Sequence, residues 1–135
     1  MSKTFPDWVT SIMVAVTVEN KPIPPASTTE TAAGGVGHYT GSDLTYQEVE
    51  SWTVTALKTG ELKEISFTGT VLAKTHWKVV IGAVTLFTDL LIGAPLTMPF
   101  FDLKLAAGTV VTVSCKSTDG SSINADASIV AKEIA

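Results

Sequence analysis

From residue 46 to residue 134, apolar side chains occupy every second position, in runs that turn residues interrupt roughly every ten positions. Alternation of this kind puts one apolar stripe on one face of an extended chain. Strands need partners, and short strands at this spacing pack as an antiparallel sandwich or barrel. The stretch "YQEVESWTVTAL", 46–57, sets Trp52, Val54 and Ala56 on one face, and "KTGE", 58–61, reads as a turn around Gly60. "LKEISFTGTVLA" aligns Ile65, Phe67, Val71 and Ala73, and "THWKVVI" aligns Thr75, Trp77, Val79 and Ile81. Gly82 and Ala83 suit a tight hairpin into "VTLFT". In "FFDLKLAAGTVVTVSCKSTDG", 100–120, Phe101, Leu103 and Leu105 face inward, "AAG" turns, and Val111, Val113 and Cys115 face inward again. "STDGSS" is a turn cluster, and "NADASIVAKEI" returns with Ala125, Ala127, Ile129 and Ala131 on the apolar side.

The front of the chain is less regular. Residues 1–10 read as an arm carrying Phe5, Pro6 and Trp8. "SIMVAVTV", 11–18, alternates Ile12, Val14, Val16 and Val18 against Ser11, Met13, Ala15 and Thr17, the pattern of a strand buried on one side. Residues 19–45 hold Pro22, Pro24 and Pro25, glycines 34, 35, 37 and 41, and many Ser and Thr. That composition predicts a long loop, with "GGVG" at 34–37 as a flexible piece of it. The expected organisation is one domain: arm, first strand and loop over 1–45, then a β-sandwich core over 46–135. About eight strands fill two four-stranded sheets, so the expected fold is all-β, an antiparallel, jelly-roll-like sandwich.

Charge excludes one large class of functions. All nine basic residues are Lys, and the formal net charge is −4. With no Arg for bidentate phosphate or base-edge contacts, nucleic acid is not an expected partner. Nor is a membrane. Residues 79–101 are nearly long enough to cross one, but Asp89 at their middle costs roughly 2.5–3.5 kcal/mol on insertion, and Pro95 and Pro99 weaken the segment further. "WVTSIMVAVTV", 8–18, lacks the closely following small-residue site of a cleaved leader.

Catalytic chemistry finds little footing. Cys115 is the one cysteine and sits in phase with Val111 and Val113, as a buried thiol does. His38 lies in the expected loop and His76 opposite Trp77, as surface imidazoles. Glu48 and Glu50 share a strand face, the arrangement of solubilising edge charges more than of a glycosidase pair. Asp102 and Asp119 lack a calcium-chelating spacing. No nucleophile–base set, phosphate loop or zinc motif is present, so the expectation is a non-enzymatic protein without metal or cofactor.

Trp52 and Trp77 are expected in the core, which leaves Trp8, Tyr39 and Tyr46 as aromatic groups free to meet a partner. "LLIGAPLTMPFF", 90–101, is apolar where a connection should be polar, which marks either a further strand or an interface. The expected contact residues are Phe5, Trp8, Pro22, Pro24, Pro25 and Tyr39 from the front, with Leu90, Leu91, Pro95 and Phe100 from the apolar connection.

The hairpins "HWKVVIGAVTLF" and "LKLAAGTVVTVSCKST" give the block 60–132 a likeness to jelly-roll domains of viral structural proteins, tail adhesins, carbohydrate-binding modules and tumour-necrosis-factor-like trimers. The Pro- and Gly-rich front half resembles the arms of phage capsid decoration (cement) proteins. That resemblance implies a virion protein on the capsid exterior, cytoplasmic during assembly, that self-associates as a homotrimer and binds the major capsid protein lattice. The alternative it leaves open is a glycan- or receptor-binding sandwich of the tail-adhesin or carbohydrate-binding type.

Overall fold

The computed structural model describes residues 28–135, and the strand expected over 11–18 lies outside them. Eight strands follow one another: β1 Glu30–Gly41, β2 Gln47–Thr53, β3 Thr59–Gly69, β4 Thr75–Ile81, β5 Val84–Leu90, β6 Leu96–Leu105, β7 Val110–Ser117 and β8 Ile123–Ile134. They form two four-stranded sheets, ordered β1-β8-β3-β6 and β2-β7-β4-β5. Every pairing is antiparallel. The pairs β1–β8, β2–β7, β3–β6 and β4–β5 are those of one long hairpin folded at its middle and rolled up. The protein is therefore an all-β sandwich with jelly-roll pairing. Among the described residues the one helical element is a 3-10 turn at Leu72–Lys74, and no helix is long and apolar enough to cross a membrane.

The core follows the alternation. In β4, Thr75, Trp77, Val79 and Ile81 are buried, and in β7 Val111, Val113 and Cys115 are. Trp77 stacks on Phe67 across the sandwich with ring centroids 4.7 Å apart. Trp52 is also buried, so both tryptophans are core residues. The turns at Gly82, Gly108 and Gly120 all use positive φ, which suits residues without a Cβ.

Four local expectations are corrected. From Glu30 on, the expected loop is strand β1, paired with β8 along its whole length. Its glycines are there for closeness: a Cβ on Gly37 would lie 1.7 Å from the Val49 carbonyl oxygen of β2, and one on Gly34 would lie 2.0 Å from the Ile129 oxygen. Second, "KTGE" opens β3, and the turn falls at Ala56–Leu57, with Leu57 at φ 66. Third, Ala73 lies exposed in the 3-10 turn, out of line with Ile65 and Phe67.

The fourth correction concerns β6. Phe101 is 89% exposed and Leu103 40%, and only Leu105 of the expected trio is buried. A wide bulge explains this. The register against β3 jumps between Leu62 and Glu64, where Leu103 and Pro99 are the partners, so three residues of β6 face the single residue Lys63. Phe101 and Asp102 absorb the excess at φ 47 and 62, which turns the Phe101 ring outward. Met98 and Phe100 pack against the core instead.

Candidate interaction surface

The outer face of the first sheet is set by its register. One row across it reads Val36, Ser128, Ser66, Thr97, and the next Gly34, Val130, Glu64, Pro99. These two middle rows carry one charge, Glu64, which is half-buried and accepts a hydrogen bond from Ser66 Oγ at 3.1 Å. Val36 is 79% exposed, and Val130 is exposed beside it. A hollow of about 170 Å³ opens here, walled by Val36, Pro95, Leu96, Thr97 and Ser128 with Phe67 and Ala127 beneath and the Asp126 carboxylate at its margin.

Charge gathers at the two ends of this face. At one end Glu61, buried, is covered by Lys63, Lys104 and Lys132, and Lys132 also reaches Glu30 at 3.2 Å. Lys63 pairs with Asp102 of the bulge and holds that carboxyl below its usual range. At the other end His38 Nδ1 meets Asp126 at 2.7 Å and His38 Nε2 meets Thr40 Oγ1 at 2.7 Å. Thr40 in turn donates to Asn124. An uncharged middle flanked by paired charges is the layout of a protein contact surface.

The opposite sheet presents a different cluster. The Tyr46 ring lies beneath the Lys116 and Lys78 ammonium groups, 4.6 and 5.4 Å from its centroid. Its hydroxyl donates to Asp89 and accepts from the Asp89 backbone N–H at 2.7 Å. That hydroxyl, then Lys116 at 3.1 Å, holds the Asp89 carboxyl low. Tyr46 is thus engaged within the chain. Tyr39 is half-buried, with its hydroxyl on Asp43; burial and then that carboxylate raise its pKa.

The expected contact residues divide. Phe5, Trp8, Pro22, Pro24 and Pro25 lie outside the described residues. Leu91 and Pro95 are exposed, and Pro95 walls the hollow. Leu90 and Phe100 are half-buried against the core. Sequence reasoning missed Val36 and Val130, whose signal was an apolar residue on the polar side of an alternating strand.

Groups weighed for catalysis are spoken for locally. Burial pushes the Cys115 thiol up to about 12. Asp119 is held low by Lys74 at 2.8 Å and by Ser121. A bulge separates Glu48 from Glu50, and the Glu50 carboxylate accepts from the Ser51 N–H and lies beside Gly35 of β1. Among the described residues no three His, Cys, Asp or Glu side chains gather as a metal site.

No family model matches the chain, and no curated protein matches it significantly. Among solved structures it is similar to one titled "Crystal Structure of FLHE", at 14% identity and a TM-score of 0.44, over 76% of this chain and 96% of that one.

Proposed function

We propose that the chain is a non-enzymatic viral structural protein, a capsid decoration protein that self-associates as a trimer and binds the major capsid protein lattice on the virion exterior. The observation that supports the reading is the outer face of the first sheet, with Val36 and Val130 exposed, Val36 walling a hollow over Phe67, and most of the charge gathered towards the ends. Self-association through such a patch is favourable because burying it removes apolar area at little desolvation cost.

Light scattering over a dilution series tests the reading. The expected result is three times the 14.2 kDa chain mass, falling to one chain mass in Val36→Asp/Val130→Asp with the thermal midpoint kept. A wild-type monomer at all concentrations refutes self-association. Antibody labelling of intact virions from the source tests the location, and unlabelled particles rule it out. The hydroxyls of Ser66, Thr97 and Ser128 beside Asp126 favour one second reading, a glycan site in the same hollow. Shifts of these residues' amide signals on adding sugars distinguish it.

A further inference from the structure

Two features of the first sheet match each other but do not meet within one chain. The first is Phe101. Its ring is 89% exposed on the β6 bulge, with Leu103 exposed two residues on. Its φ is 47, a left-handed backbone that bulky residues rarely hold. Such conformations persist where the surroundings fix them, and they gather at functional sites. Here the ion pair between Lys63 and Asp102 clamps the residue that follows the ring.

The second is the hollow beside Val36. The Phe67 ring forms its floor, and Pro95 and Leu96 form one wall. Its volume of about 170 Å³ suits one phenyl ring, since an apolar cavity of about 150 Å³ is enough to bind benzene. Phe101 is not among the residues that line it. Four residues of extended β6 separate Phe101 from Thr97, roughly 13 Å, so the ring cannot fill the hollow of its own chain.

We propose that the Phe101 ring of one chain enters the hollow of a second copy. This contact presupposes self-association through the outer face of the first sheet and supplies its anchor. Charge agrees with it. Lys104, exposed, stands three residues from the ring, and Asp126, exposed, stands at the margin of the hollow. A copy that brings its ring to the hollow therefore presents a cation to a site bordered by a carboxylate. An aromatic side chain seated in a pocket is the kind of group that carries most of the energy of an interface. The contact joins two different patches, and such a contact repeated head to tail closes a ring. Every member then gives one Phe101 and fills one hollow.

Two variants separate the halves of the contact. Phe101→Asn removes the ring and suits the left-handed backbone, and Ser128→Trp covers the hollow with an indole. Light scattering is expected to give one chain mass for each where wild type is associated, with association weakened at least about thirtyfold. A titration reads the contact itself. The amide signals of Thr97, Ala127 and Ser128 in isotope-labelled Phe101→Asn, whose hollow is intact, are expected to shift on adding unlabelled Ser128→Trp, whose ring is intact. Adding unlabelled Phe101→Asn is expected to leave them in place. No shift at millimolar chain, or equal shifts with both additions, overturns the contact. A Phe101→Asn chain that keeps the wild-type mass overturns it too, and leaves self-association standing. A wild-type mass other than three chains that falls to one in Phe101→Asn keeps the contact and overturns the trimer.

Discussion

Glu133 offers the sharpest energetic test of the fold. It is the last inward-pointing residue of β8, and its Oε1 accepts three hydrogen bonds: from Trp52 Nε1 at 3.2 Å, Thr55 N at 2.9 Å and Thr55 Oγ1 at 3.1 Å. Lys58 adds a looser contact at 3.8 Å, worth little at a partly exposed site. One buried carboxylate thus pins the turn between β2 and β3 to the last strand. In Glu133→Ala the Trp52 and Thr55 N–H groups lose their acceptor, at about 1–3 kcal/mol each, or ~4 kcal/mol together. Thr55 Oγ1 turns to water at no comparable cost. At roughly 3–4 °C per kcal/mol for a chain of this size, the melting temperature falls by about 12–16 °C. Glu133→Gln keeps an oxygen for the same donors and loses only charge assistance, about 1 kcal/mol.

The pH dependence separates the two effects. The Thr55 N–H first, then the Thr55 hydroxyl and Trp52, lower the Glu133 pKa. The stabilisation this confers is full above the unfolded-state value, about 4.3, and is lost as pH falls through the lower folded value. Wild type therefore loses stability against Glu133→Gln as pH drops below about 4.3. Trp52 fluorescence reports the transition directly. Equal losses in the Ala and Gln variants, or a constant gap between wild type and Gln from pH 7 to pH 3, would refute this account.

Two further substitutions probe the backbone. Gly37→Ala places a methyl against the Val49 carbonyl, a backbone atom that cannot swing aside, and is expected to cost at least about 3 kcal/mol. Gly93→Ala meets nothing within 4 Å and is expected to be neutral; urea midpoints decide, and similar midpoints for the two sink the close-contact argument. Leu57, 98% exposed at φ 66, is strained without any packing return, so Leu57→Asn is expected to raise stability by about 0.5–1 kcal/mol; a lower melting temperature would show that the turn does not hold that conformation.

Most of the sandwich was legible because its strands obey a period of two and its turns use glycine. β4, β7 and β8 alternate without a break, so reading every second residue finds Trp77, Val113 and Ile129. β6 was misread at Phe101 because alternation assumes one residue per step. The three-for-one bulge violates that assumption, and no glycine marks the positive φ at Phe101 and Asp102.

β1 failed for a deeper reason. Glycine in a sequence signals either a backbone that needs freedom or a backbone that needs a near neighbour, and only the second holds at Gly37. The neighbour is Val49, which nothing local to residues 34–41 reveals. Glu133 is the converse case. Its parity with Ala127, Ile129 and Ala131 placed it inside, while its charge argued for outside. Parity won because a turn from another part of the chain supplies three donors at that spot. Both cases turn on long-range contacts of single residues, Gly37 with Val49 and Glu133 with Thr55. Period alone cannot report such pairs. The same limit applies to the front of the chain: counting strands by period reached eight with 11–18 included and β1 left out, whereas the described residues complete eight from Glu30 onward, because the Gly-rich β1 shows no period of its own.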